Sequence, residues 1–237
     1  MKRFLLYTLT ALATFAFPGL ALASSIVVSL GHTAPTDATA GGAPLVSGNV
    51  YGSSIIDDNF VAPFFTSFCG SEGNANPALD SNCDKSWTFN YVIPAGETIT
   101  AASLTVGLWD IDSTQAGNQF SLYQVNGGDV LTASLNTAAE ALNGGTGSLN
   151  AQYDVFTFSL SNFGALSGGS ATIHITFSGP GGGVLGAVPT NAGAILFSSL
   201  NITTQTTTTP PVPEPGSLLL VGTALVGAGL RRLRLRR

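Results

Sequence analysis

The sequence predicts an all-β protein: a single antiparallel β-sandwich of about eight strands with one short inserted helix, flanked by an apolar helix at each end of the chain. Three observations lead there. Only 9% of the 237 residues are charged while 29 are glycine, too few charges for a helical surface laced with ion pairs. Between residues 24 and 203, apolar and β-branched runs alternate with polar positions and are broken by Gly, Asn, Asp and Pro at short intervals. No repeat of solenoid or propeller length recurs.

Taken in order, strands are predicted at 25–30, 86–93, 98–109, 119–125, 130–134, 153–160, 172–178 and 194–203. Asn126-Gly127-Gly128-Asp129 is a hairpin signal, because Asn and Gly accept positive φ at low steric cost; it should pair residues 120–125 with 130–134. In the seventh strand Ile173, Ile175 and Phe177 share one face, and His174 and Thr176 the other. Phe156 and Phe158 alternate in the same way with Val155, Thr157 and Ser159. Trp87 and Trp109 are expected in the core. The helix is expected at Thr137-Ala138-Ala139-Glu140, a Thr-x-x-Glu capping box followed by Ala141, Leu142 and a stop at Gly144.

Charge is distributed by segment. Of the eight basic residues, Lys2 and Arg3 stand at the start and five arginines (Arg231, Arg232, Arg234, Arg236 and Arg237) at the end, leaving Lys85 alone in between. Residues 24–210 set that lysine against twelve acids, a charge of −11. Such a surface repels phosphate backbones and has no basic stripe to displace counterions, which excludes nucleic acid as a partner.

The two ends read as targeting segments. Lys2 and Arg3 precede an apolar run to Phe17, Pro18-Gly19 breaks the helix, and small residues at Ala21 and Ala23 follow, the pattern of a signal peptide (1–23) cut by signal peptidase between Ala23 and Ser24. After the exported domain (24–202) comes a Thr/Pro-rich linker (203–212), then a terminal segment (213–237). That segment opens with Pro213-Glu214-Pro215, continues through an uncharged apolar helix (217–230) and closes on the arginine-rich 231–237. The thirteen residues from Leu218 to Leu230 span about 20 Å as a helix against a hydrocarbon core of about 30 Å, so the helix is a marginal, temporary membrane anchor. Its arginines hold the C-terminus on the cytoplasmic side. Prolines 210, 211, 213 and 215 keep the preceding chain extended and accessible.

This three-part tail resembles the PEP-CTERM sorting signal. The resemblance implies that exosortase, a membrane-embedded cysteine transpeptidase, recognises Pro213, Glu214 and Pro215 as substrate and removes the apolar and basic tail. It further implies a Gram-negative bacterium that makes exopolysaccharide, and a final location at the cell surface or in the extracellular matrix. The strand pattern of the exported domain resembles the jelly-roll ectodomains that often carry this tail.

Within that domain, Cys69 and Cys83 are the two cysteines of an exported chain, so a disulfide is expected, with metal ligation or free thiols as alternatives. Asp80-Ser81-Asn82-Cys83-Asp84 puts oxygen side chains at positions 1, 3 and 5 as calcium loops do, but Lys85 replaces the glycine of position 6 and Tyr91 the glutamate of position 12. Asp80, Asn82, Asp84, Asp110 and Asp112 are therefore the calcium candidates, against simple turn chemistry; no other cofactor is expected. No nucleophile elbow, zinc-protease motif or phosphate loop is present. His32 and His174 have no motif spacing, and His174 is expected as a solvated strand residue without a placed partner. No catalytic residue is assigned. The main expectation is a non-enzymatic surface or exopolysaccharide-associated matrix protein. One alternative is a lectin-like module stacking sugars on Tyr91, Tyr123 or Tyr153. The other is a polysaccharide-modifying enzyme using Asp57 with Asp58 or Asp110 with Asp112.

Overall fold

In the computed structural model of the chain, the described residues are 23–37, 40–51, 59, 61–64, 84–109, 111, 117–126, 128–143, 152–177, 193–207 and 222–225. The chain divides into two units, Ala23–Gln205 and a second made of Met1–Leu22 with Thr206–Arg237. The first unit carries the sandwich.

Its strands are β1 (Ala23–Gly31), β2 (Thr36–Asp37), β3 (Ala43–Pro44), β4 (Asn49–Val50), β5 (Asp84–Asn90), β6 (Glu97–Trp109), β7 (Phe120–Val125), β8 (Asp129–Val130), β9 (Gln152–Leu160), β10 (Ser170–Phe177) and β11 (Ala194–Thr206). Among the described residues, the helices α1 (Thr132–Asn143) and α2 (Phe163–Leu166) lie between them. One sheet runs β1-β11-β6-β9-β4, a second β5-β10-β7-β8, and β2 with β3 forms a small ribbon.

The eight principal strands pair first with last: β1 with β11, β5 with β10, β6 with β9 and β7 with β8, all antiparallel. A long hairpin folded back on itself makes those four pairings, and rolling it into two sheets is the jelly roll. The register starts with Ala23 opposite Gln205, so the unit's two chain ends leave from the same point.

Burial explains why the sheets meet. Leu104, Val106 and Leu108 of β6, Phe156 of β9, and Leu200 and Ile202 of β11 form one core with Trp87 and Phe89 of β5, Tyr123 and Val125 of β7, and Ile173 and Ile175 of β10. These residues alternate along their strands, so each sheet turns one apolar face inward. Tyr123 and Phe158 meet edge to face across the sandwich at 5.8 Å, and Phe64 closes on Trp87 at 5.0 Å. Trp109 instead belongs to a second, smaller cluster with Tyr153, Leu196 and Phe197, on the outer side of the β6 sheet, where Leu45 and Tyr51 pack over it. Gly107 is required there, since a Cβ on it would lie 2.2 Å from the Phe197 ring.

Hydroxyls do on the outer faces what charges do on most proteins. Thr105 pairs with Thr157 at 2.9 Å, Thr88 with Thr172 at 3.0 Å and Ser29 with Ser199 at 2.8 Å, each across neighbouring strands.

The inserted helix differs from expectation. α1 starts at Thr132, five residues before the supposed cap, and Thr137 lies inside it with its hydroxyl donating to the Ala133 carbonyl at 2.9 Å. Glu140 accepts from the Gly117 amide rather than closing a capping box. Leu131, Leu135 and Ala139 recur every four residues and are all buried, so helical burial overrides the β-branched look of 130–134. The strand after the hairpin is consequently only Asp129–Val130. The turn itself is as expected: Asn126 takes φ 49°. Its side chain accepts from the Thr172 amide at 2.6 Å and donates to the Ala165 carbonyl at 2.9 Å, tying β7 to β10 and α2.

Candidate functional site

Three polar clusters are placed by the sandwich. The first lies where the chain enters and leaves it. Glu97, the first residue of β6, receives the Ser24 hydroxyl on one carboxylate oxygen at 3.1 Å and the Thr204 hydroxyl on the other. Three strands that are distant in sequence therefore converge on one carboxylate, beside the last residues of β11.

The second cluster is on the outer face of the β5-β10-β7 sheet. The register puts Asp84 opposite Thr176 and Ser86 opposite His174. Asp84 bonds the His174 Nε2, and the Thr176 hydroxyl donates to the same carboxylate at 2.9 Å. Partial burial alone would raise the Asp84 pKa, but the bonds from His174 and Thr176 and the histidine's charge prevail, and it falls below the usual carboxylate value. The expectation that His174 has no placed partner is thus corrected; the partner arrives from a strand 90 residues earlier. Thr176 meets the acid and not the imidazole, which departs from the nucleophile, base and acid order of a hydrolytic triad.

In the third cluster Asn59 is fully buried and serves as a hub. Its side-chain oxygen faces His32 Nδ1 and accepts from the Thr36 amide, both at 2.9 Å, while its amide nitrogen donates to the Thr36 carbonyl at 2.7 Å. This fixes the chain after β1. A buried carboxylate, Asp154, accepts from Gln152 at 2.9 Å near the start of β9. Next to it burial, with Tyr51 and Asp154 adding to the effect, pushes the Tyr153 phenol up to about 12.

The tyrosines proposed for sugar stacking are corrected. Tyr91, Tyr123 and Tyr153 are only 9%, 0% and 3% exposed, so none offers a ring face to a glycan. Tyr91 donates its hydroxyl to the Leu166 carbonyl at 2.6 Å instead. For Tyr123 the available signal was the two-residue period it shares with Val125, which marks an inward position.

Among the calcium candidates Asp84 alone is described, and it is engaged as above. Asp80, Asn82, Asp110 and Asp112 lie outside the described residues, as do Asp57, Asp58, Cys69 and Cys83. Among the described residues no group of three or more His, Cys, Asp or Glu side chains is placed to hold a metal ion.

Of the terminal signals, Ala23 and Ser24 open β1, whereas Ala21 and Pro213, Glu214 and Pro215 lie outside the described residues. In the apolar tail the described residues are the helical turn 222–225, and among the described residues no helix is long and apolar enough to cross a membrane. Comparison with protein families decides what the tail is: the PEP-CTERM protein-sorting motif matches residues 211–236. The chain carries a C-terminal exosortase signal. A PEP-CTERM tail implies an exported protein, held transiently in the membrane and then processed by exosortase. A comparison with curated proteins gives no match.

Proposed function

We propose that this is a non-catalytic surface or extracellular-matrix protein of a Gram-negative bacterium, delivered by signal peptidase and exosortase to an exopolysaccharide-rich exterior. The observation that carries the reading is the sorting motif at residues 211–236. The sandwich supports it, because Ser24 lies opposite Thr204 and the chain therefore runs toward both proposed cuts from one end of the domain. A cut after Ala23 would also free the Ser24 ammonium beside the Glu97 carboxylate that its hydroxyl already contacts. The mature terminus would then be fixed by an ion pair that the precursor lacks.

Mass spectrometry of both termini, combined with the location of the protein, tests the reading. The expected mature chain begins at Ser24, ends near Glu214, lacks the arginines and lies outside the inner membrane. Full-length chain with Arg231–Arg237 intact in the cytosol would falsify it. Turnover of the host's own exopolysaccharide by the purified protein would overturn the non-catalytic reading alone.

A further inference from the structure

We infer that strand β1 is a self-pairing edge, through which two copies of this chain join antiparallel about Val27 and merge their sheets. The inference goes beyond export and stands whether or not the tail is processed. Sheet edges are where a strand leaves backbone donors and acceptors unmet, and proteins protect them with shortness, charge or covering elements. Here the four edges differ. β4 and β8 are two residues each, and β5 carries Asp84 and Lys85. β1 is nine residues, Ala-Ser-Ser-Ile-Val-Val-Ser-Leu-Gly, with no charge and no proline. Among the described residues its one strand neighbour is β11.

Four features choose a second copy as the occupant. The outward side chains read Ser25, Val27, Ser29, symmetric about Val27, so antiparallel pairing at that centre sets Val27 against Val27 and each Ser25 against the other copy's Ser29. On the inner face the same register sets Ile26 against Val28, and both are only partly buried although they pack on the core. A neighbouring strand would complete that cover and extend the apolar stripe from one sandwich into the next. Val27 is 62% exposed, the most exposed large apolar side chain in any of the long strands. Finally, two bodies carrying −11 each repel one another, and an uncharged strip lets them approach without juxtaposing acids. Glu97 contacts Ser24 at one end of the strand, so the two-fold axis holds the pair of glutamates at opposite ends.

The test uses the chain as recovered from the exporting cell. Sedimentation velocity over a concentration series should show a monomer–dimer equilibrium. Val27→Lys, whose side chain faces solvent in the monomer, should raise the dissociation constant about tenfold or more by setting two ammonium groups face to face. Mixing Val27→Lys with Val27→Glu should restore association as a heterodimer. Independently, Val27→Cys should give a dimer linked 27 to 27 on mild oxidation, located by peptide mapping, while Val92→Cys, also exposed but off the strand, should not. A monomer at every concentration without that crosslink overturns the proposal, as does a dimer indifferent to Val27→Lys. Amide protection of β1 that is independent of concentration would assign the edge to another segment of the same chain, and protection appearing only with a foreign copurifying strand would assign it to a different partner; either result overturns self-pairing.

Discussion

In the body between Ala23 and Gln205 a residue matters for the volume it fills, whereas in the tail it matters for the order in which it comes. Leu104 or Ile175 is defined by burial on the inner face of a sheet, and another apolar group of similar size would keep the sandwich. Residues 211–236 match instead a sorting motif, defined by the order of its residues along the chain, and in the proposed processing an enzyme would read Pro213-Glu214-Pro215 there. The two regions therefore fail differently. A packing defect in the body is graded in kcal/mol, and a defect in the tail is all or none.

Four measurements can break or sharpen that contrast. Replacing Pro213, Glu214 and Pro215 together by alanine should abolish C-terminal processing, seen as retained tail mass, and leave the melting temperature of the body unchanged. A body destabilised by the change would show that the regions are coupled. Next in size, Gly107→Ala should cost about 1–3 kcal/mol in denaturant unfolding, because the new methyl meets the Phe197 ring, with the processing pattern retained in the folded fraction. Tyr123→Phe should gain about 1 kcal/mol, since the Tyr123 hydroxyl is buried without a hydrogen-bond partner among the described residues; a loss of stability would reveal a partner for it.

The smallest effect is acid dependence. Asp84 and Asp129 both have depressed pKa values. At Asp129 desolvation is outweighed by bonds from the Ser161 hydroxyl and the Ser161 and Asn162 amides. A carboxylate stabilised in the fold contributes above its unfolded value near 3.9 and loses that contribution as pH falls through the lower folded value. Stability should thus decline below about pH 4, and Asp84→Asn should flatten some of that decline in acid unfolding curves. An unaltered curve would remove the His174–Asp84 pair from the account.

Much of the sandwich was legible because a two-residue period is a local property. All eight expected strands exist, the fifth cut short by α1, and Ile173, Ile175 and Phe177 turn inward as their alternation requires. Partnership was not legible: nothing near Asp84 announces His174, and nothing near Ser24 announces Glu97, since rolling the hairpin decides who meets whom. The start of α1 falls earlier than its sequence suggests because Thr137 and Glu140 have the right spacing for a cap, while the burial of Leu131 and Leu135 that sets the true start is a tertiary effect. The short pieces β2, β3, β4 and α2 carry too few residues to establish any period. The sugar-stacking tyrosines failed for the converse reason, as aromatic character says nothing of which face of the strand it occupies.

The position of β11 bears on how the domain would carry load. It lies between β1 and β6, and the chain beyond Thr206 continues from its end. A pull on that continuation along the strand direction loads the hydrogen bonds on both flanks together, in shear, so they cannot open in succession like a zipper. Force spectroscopy that pulls from residue 206 should accordingly record a single abrupt rupture, and a staircase of small yields would mean that the strand peels.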